Sequence, residues 1–313
     1  MFLLDSHCDT PSQILRLRDL SIDNDHAHVD FPKLRKGGVD GAFFALYVPA
    51  SKEEEEAYVY SQRLLGAVRA SIEANSDKAA FAVSQDQAYI NKQCGKFSVF
   101  LGLENGSPIG HSIDKLHEFY QDGVRYITLC HSRDNHICDS CASATGRWGG
   151  LSPFGKELVK RMNDIGMLVD VSHISDNAFY DVVECSSMPV AATHSCCRTL
   201  AAHPRNMTDD MIRALADKGG VIQINFYPVF LEEGYIDVPS YKYIVDHIDH
   251  VVRLVGINHV GLGSDFDGID VVPEGLEDVS MFSKIFEEMR RRGYTEDDIE
   301  KVASRNFFNV FSC

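Results

Sequence analysis

A closed (β/α)8 barrel is the fold this sequence predicts, and three observations predict it. Short apolar runs recur eight times along the 313 residues, they are apolar on both faces, and capped amphipathic stretches separate several of them. The runs are FLLDSH (2–7), GAFFALYV (41–48), FSVFLGLE (97–104), RYITLCH (125–131), MLVDVSH (167–173), PVAATH (189–194), GVIQINF (220–226) and HVGLGSDF (259–266). Strands buried on both faces belong to parallel sheets, whose crossover helices cover them. Among the intervening helices, Ser152 caps one that starts at Pro153, carries the stripe Phe154, Leu158, Met162 and Ile165, and closes at Gly166. Thr208 opens another ahead of Asp209 and Asp210, with Gly219 and Gly220 to close it. Thr295 with Asp298 three residues on reads as a capping box for the last helix. The acidic run Glu53 to Glu56 reads as the solvated face of the helix after the second strand. No low-complexity linker divides the chain, so residues 1–313 read as one domain, and eight alternations favour a barrel over an open sheet.

At 44% hydrophobic the chain has ample material for a buried core. A formal charge of −16 disfavours nucleic acid and anionic lipid as partners. No stretch approaches the roughly 18 apolar residues of a membrane span, and the N-terminus lacks the regions of a signal peptide. Nine cysteines, an odd number scattered along the chain, suit a reducing compartment, so cytoplasmic thiols are expected, with Cys313 a reactive tail thiol.

Barrels of this kind build their sites at the carboxyl ends of the strands. Most of the eight runs end in groups that could hold a cation: His7 and Asp9, Glu104, His131, His173, His194, and Asp265 with Asp267. Extended chain sends alternate side chains to one face, so His7 and Asp9 emerge together. Singly, a strand-end His is an ordinary structural group and a strand-end Asp an ordinary helix cap. Collected at one mouth they would be costly to bury without a compensating cation. Imidazoles with carboxylates suit Zn2+, and also Mn2+, Co2+ or Fe2+. Five ligands exceed what one catalytic zinc with an open position uses, so two ions sharing a carboxylate are expected.

The segments DSHCDT, GLENG, TLCHS, DVSH, THS, RNMTDD, NFY and GSDFDG, in that order over nearly the whole chain, resemble the membrane (renal) dipeptidases and their bacterial relatives among the amidohydrolase-type barrels. Most amidohydrolases carry His-x-His on the first strand, whereas this family pairs His-x-Asp with a Glu on the third, as here. The resemblance implies a dipeptidase with two Zn2+ per chain and a hydroxide held between them. By it, His7 and Asp9 would hold one zinc, His173 and His194 the other, and Glu104 both. Asp265 would orient the attacking water and carry its proton, and His131 would contact the substrate and steady the oxyanion. Arg205 would grip the substrate's terminal carboxylate. Phe230 stands where the family places a substrate-contacting Tyr. Relatives imply tolerance of a D residue at the C-terminal position and a possible homodimer.

Four other readings remain open on sequence alone. Cys138 and Cys141, two residues apart in the long segment 130–150, could mark a structural zinc or redox site, although that segment reads better as a loop over the site with Trp148 and the Gly pair shaping its return. Cys196 or Cys197 could serve a thiol hydrolase. A binuclear amidase or lactonase would use the same ligands on another small molecule, and a decayed enzyme could keep a metal without catalysis.

Overall fold

The computed structural model describes residues 1–52 and 54–311, so Glu53 and the expected tail thiol Cys313 lie outside the described residues. All eight runs form strands. They are β1 (Leu4–Cys8), β2 (Gly41–Tyr47), β4 (Phe97–Glu104), β5 (Val124–Thr128), β6 (Leu168–Asp170), β7 (Ala191–Ser195), β8 (Val221–Ile224) and β9 (Val260–Leu262); a further strand, β3 (Ala79–Phe81), adds to β4. Every pair is parallel, in the order β1-β2-β4-β5-β6-β7-β8-β9. The ring closes where Cys8 bridges Phe266: Asp9 N donates to the Phe266 carbonyl at 2.8 Å and Asp265 N to that of His7 at 3.0 Å. The architecture is that of a (β/α)8 barrel, as expected, plus one strand whose three residues are too few to show a period.

The helix signals operate as read. Ser152 accepts from Gly155 N, Thr208 from Met211 N, and Thr295 with Asp298 forms the reciprocal box. Glu54, Glu55 and Glu56 are exposed in the first turn of the helix Glu54–Ala74, where negative charge also suits the helix dipole.

Two packed layers position the site. Outside the ring, helix stripes such as Leu158, Val159 and Met162 meet the outer faces of the strands. Inside it, alternate strand positions give a second cluster that includes Leu4, Phe43, Phe100, Tyr126 and Val221, stopped from below by Phe307 and Phe308. Phe43 stacks on Phe100 at 4.8 Å and lies 5.2 Å from Tyr126. Truncating one such ring to Ala costs about 3–5 kcal/mol, which is why this floor is a rigid base. Gly102 is required beside it, because a Cβ there would stand 2.2 Å from the Tyr126 ring. With no side chain at that point, Tyr126 lies across the barrel and its hydroxyl reaches His7.

Three strands end earlier than their apolar runs. His131, His173 and Asp265 each lie three residues beyond the end of β5, β6 and β9. His173 (φ 70°) and Asp265 (φ 63°) occupy the left-handed region, which no sheet ladder accommodates. Their side chains turn inward over the mouth instead of continuing the pleat.

Candidate active site

At the carboxyl end of the ring the acids and imidazoles converge. Glu104, the last residue of β4, is almost fully buried and its two oxygens face opposite ways. Oε2 lies 3.5 Å from His7 Nε2, and Oε1 lies 3.1 Å from His173 Nε2, 3.5 Å from His194 Nε2 and 3.7 Å from His131 Nε2. Asp9 Oδ2 is 3.6 Å from His7 Nε2. Three groups have ligand atoms mutually within 4.8 Å: His7 with Glu104 and His194, Glu104 with His131 and His173, and His7 with Asp9 and Asp265.

These donors fit divalent cations by their unmet demands. His7 Nε2 is buried without a hydrogen-bond partner, although carboxylates flank it on two sides. His173 Nε2 and His194 Nε2 face each other at 2.9 Å, a separation two lone pairs tolerate only with a proton or a cation to share. A mixed imidazole and carboxylate set with no thiolate is the chemistry that Zn2+, Mn2+, Co2+ and Fe2+ accept.

Hydrogen bonds behind the ligands set their lone pairs. Thr193 Oγ1 donates to Asp170 at 2.7 Å and so accepts from His194 Nδ1 at 2.8 Å, leaving His194 Nε2 free for a metal. Asp170 also accepts from Thr128 Oγ1 and from the backbone of Ser172 and Thr193. On the other side the Tyr126 hydroxyl meets His7 Nδ1 at 2.8 Å. Gly268 allows the last approach, since a Cβ there would lie 2.2 Å from Asp9 Oδ2 and 2.9 Å from Asp265 Oδ1.

Electrostatics agree with that arrangement. Burial alone would raise the Glu104 carboxyl, but His7, His173 and His194 reverse it and hold it well below the usual range. Burial, aided by Arg205 and neighbouring imidazoles, keeps His173 and His194 well below the ordinary histidine value, so they offer neutral nitrogens. His7 behaves oppositely: burial pushes it down, yet Glu104 and Asp9 prevail and raise it. Burial and Glu104 push Asp9 upward as well. A proton therefore resides between His7 and the carboxylates without metal and is released when a cation binds. Burial lowers His131, which leaves it a neutral imidazole at the rim, 4.2 Å from the His173 ring.

Above this floor opens a cavity of about 520 Å³, which reaches from Glu104 and His131 to Arg205, Tyr227 and Phe230. Arg205 is buried; Nη1 donates to Ser195 Oγ at 2.7 Å and Nη2 to the His194 carbonyl at 2.6 Å. Its Nε has no hydrogen-bond partner among the described residues. A fixed guanidinium with an unused edge in a cavity is built to take a carboxylate. Phe230 lies 5.7 Å from that guanidinium.

The sequence model of the membrane dipeptidase family, peptidase family M19, matches residues 1–313. The chain belongs to that family. It is 33% identical to a dipeptidase of Schizosaccharomyces pombe described as uncharacterized (99% of this chain, 79% of that protein) and 33% identical to dipeptidase tcpJ of Claviceps purpurea (98% and 75%). Among solved structures it superposes on dipeptidase AC, a metallopeptidase of family M19, with a TM-score of 0.91 at 26% identity, covering 100% of this chain and 98% of that one. It matches a Rhodobacter sphaeroides metallopeptidase bound to a phosphinate mimic of the dipeptide L-Ala-D-Ala equally well, at a TM-score of 0.91 and 25% identity, over 100% and 99%. The protein is a metal-dependent dipeptidase, a hydrolase of peptide bonds.

In this dipeptidase the residues expected at the mouth, His7, Asp9, Glu104, His131, His173, His194 and Asp265, meet there, and Arg205 and Phe230 line the same cavity. Asp267 does not join them. Its carboxylate accepts from Arg18 at 2.6 Å, from Thr10 and from His28 N, and so locks the loop after β9 to the segment after β1. The thiol alternatives fail on chemistry. Burial pushes Cys196 up to about 12 and raises Cys197 further from ionisation, and His247 beside them is occupied, accepting from Cys197 N and meeting the Leu231 carbonyl. Cys138 is buried against Cys130, Cys141 lines the cavity, and none of the three candidate metal groups includes a cysteine. The segment 130–150 lines the cavity through His131, Ser132, Cys141 and Ala142, and it is held together where Asp139 gathers the backbone N–H groups of Arg147, Trp148 and Gly150 and Trp148 Nε1 donates to the Asn135 carbonyl.

Besides Tyr126 and Thr193 behind the ligands, two positions at the mouth were not singled out in the sequence. Tyr47, at the end of β2, lines the cavity with its ring 4.8 Å from His131. Asn225, just past β8, donates to Asp265 Oδ2 at 2.8 Å and aims that carboxylate. Their strand-end location was the available signal.

Proposed function

We propose that this dipeptidase works with two Zn2+ per chain, His7 and Asp9 holding one, His173 and His194 the other, and Glu104 shared. The observation that carries this reading is the back-to-back use of Glu104, one oxygen toward His7 and the other toward His173 and His194. Bound ions of this type supply Lewis acidity that polarises a carbonyl and brings water within reach of deprotonation near neutral pH.

The remaining steps belong to side chains. Arg205 takes the dipeptide's terminal carboxylate through its unused edge, which fixes the scissile carbonyl over the ligand set. Asp265, aimed by Asn225, accepts the proton of the attacking water and returns it to the departing amine. Neutral His131 donates toward the oxygen on which charge develops. Phe230 contributes apolar contact without a hydroxyl.

The substrates include L,L-dipeptides and, in line with the L-Ala-D-Ala mimic held by the Rhodobacter relative, dipeptides whose C-terminal residue is D. The unit of function is one catalytic domain over residues 1–313, acting in the cytoplasm as a homodimer with neither nucleic acid nor membrane as partner. The formal charge of −16 supports the exclusion of nucleic acid; among the described residues no helix is long and apolar enough to cross a membrane.

A hydrolysis screen over L,L- and L,D-dipeptides, run with metal quantification by mass spectrometry, tests the reading. Two zincs per chain with cleavage abolished by phenanthroline and restored by Zn2+ is the expected result. Two metals with no dipeptide cleaved would turn the assignment toward an amidase or lactonase.

A further inference from the structure

The cavity is lined by Arg16, whose guanidinium pairs with nothing among the described residues. Ser12, Gln13 and Arg16 line it from the short helix Thr10–Leu15 and its C-terminal end, directly after Asp9. Gln13 Nε2 donates to the Asp267 carbonyl at 3.2 Å and Arg18 pairs with the Asp267 carboxylate at 2.6 Å, so this segment is held against the loop after β9. The Arg16 side chain is exposed, and among the described residues its guanidinium makes no hydrogen bond or ion pair, while its backbone N–H donates to the Gln13 carbonyl at 3.0 Å.

The other charges facing the cavity have counterparts. Asp9 and Glu104 belong to the ligand set, Asp267 to Arg18, and Asp270 lies against the Tyr227 hydroxyl. A dipeptide zwitterion brings a carboxylate for Arg205 and an ammonium for the rim carboxylate Asp270, which leaves Asp265 to the proton transfer. Nothing in that zwitterion matches Arg16. Position says which end of the substrate it meets: Arg205 follows β7 and Arg16 follows β1, with β8 and β9 between them in the ring. With the terminal carboxylate at Arg205 and the scissile bond over the ligands, the side chain pointing toward Arg16 belongs to the N-terminal residue.

We propose that Arg16 is a specificity-determining residue that favours dipeptides whose N-terminal residue is acidic, Glu or Asp; this rests on the dipeptidase reading of Arg205 and the ligand set. An exposed ion pair of this kind favours the charged partner by about fivefold, and salt weakens it.

The test compares kcat/KM for L-Glu-L-Ala, L-Gln-L-Ala, L-Lys-L-Ala and L-Ala-L-Glu in the zinc-loaded enzyme and in R16Q and R16E, whose folding is checked by thermal unfolding. In the wild type, L-Glu-L-Ala should exceed its isostere L-Gln-L-Ala by about fivefold at low salt, a ratio that falls toward one in R16Q and in high salt. R16E should invert the order in favour of L-Lys-L-Ala. Equal rates for Glu and Gln at the N-terminal position, a preference that survives in R16Q, or a preference seen only for L-Ala-L-Glu would each overturn the proposal. Wild-type turnover of L-Ala-L-Ala separates this failure from failure of the dipeptidase reading, since an enzyme that cleaves it without charge preference remains a dipeptidase.

Discussion

The mouth of the barrel has two halves made differently. His7, Glu104 and His194 are mounted on strands, fully or nearly fully buried, and two of them are steadied from behind by Tyr126 and Thr193. His131, His173 and Asp265 sit three residues past their strands, two of them at positive φ, with more of their surface toward the cavity. Strand-mounted groups cannot move without breaking the ladder, so in the proposed reading that half would fix where the cations lie. Loop-mounted groups project over the same point from the cavity side, so that half would meet the reacting atoms. His173 would belong to both, a proposed ligand carried on a left-handed turn whose carbonyl is held by Cys141 N at 2.8 Å.

The sharpest break of this contrast is E104Q, which removes the charge shared by both ion positions. Metal content should fall below two per chain, and kcat/KM should drop by more than the about 10⁴-fold that a missing proton carrier costs. Retention of both metals with near-normal activity would show that Glu104 is not the shared ligand. D265N in the other half should leave metal content intact and lower kcat by about 10²- to 10⁴-fold. Loss of metal in D265N would place Asp265 with the ligands instead.

Legibility in the sequence divides along the same line. His7-x-Asp9 was readable because period 2 on an apolar strand places both on one face, and Glu104, His131, His173, His194 and Asp265 because each closes an apolar run. What could not be read is the turn past the strand. "DVSH" and "GSDF" look like continuing strand, and only the positive φ at His173 and Asp265 shows that the pleat has stopped. Asp267, two residues beyond Asp265 in the pattern, lines the cavity but pairs with Arg18 and joins none of the candidate ligand groups. Tyr47, Tyr126, Thr193 and Asn225 stayed hidden because a hydroxyl or amide near a strand end is ordinary, and its role depends on a partner met only after folding: Asp170 is 23 residues from Thr193, Asp265 is 40 from Asn225 and His7 is 119 from Tyr126.

The frame behind the strand-mounted half can be tested by pH. His247 is buried between Cys197 N and the Leu231 carbonyl, and burial pushes it down to about 4 from the ordinary 6.5. Between those values the unfolded chain binds a proton that the folded one refuses. Stability therefore falls as pH drops from 6.5 to about 4 and levels off below, by on the order of 3 kcal/mol from this group. Urea unfolding of the metal-free protein across this window should show a shallower slope in His247→Asn than in the wild type, and an unchanged slope would mean the imidazole is not a source of it. Tyr126→Phe acts nearer the site, removing the hydroxyl at His7 Nδ1; Zn2+ affinity measured by chelator competition should weaken by about 10- to 100-fold with the fold retained. Gly102→Ala, which displaces the same ring, should weaken binding in the same direction.

The smallest expected effect lies on the substrate's side, at Phe230. Its ring is 5.7 Å from the Arg205 guanidinium and 4.8 Å from His203, so a hydroxyl added at the ring's edge gains polar neighbours without leaving its place in the cavity. Phe230 is in none of the candidate ligand groups, so Phe230→Tyr should leave metal content unchanged. A new hydrogen bond to a bound dipeptide contributes about 1 kcal/mol, or about a fivefold lower KM at similar kcat. A change in kcat with KM constant would instead mean that this edge of the cavity reaches the reacting bond, and the division of the mouth into a metal-holding half and a substrate-facing half would have to extend to the segment after β8.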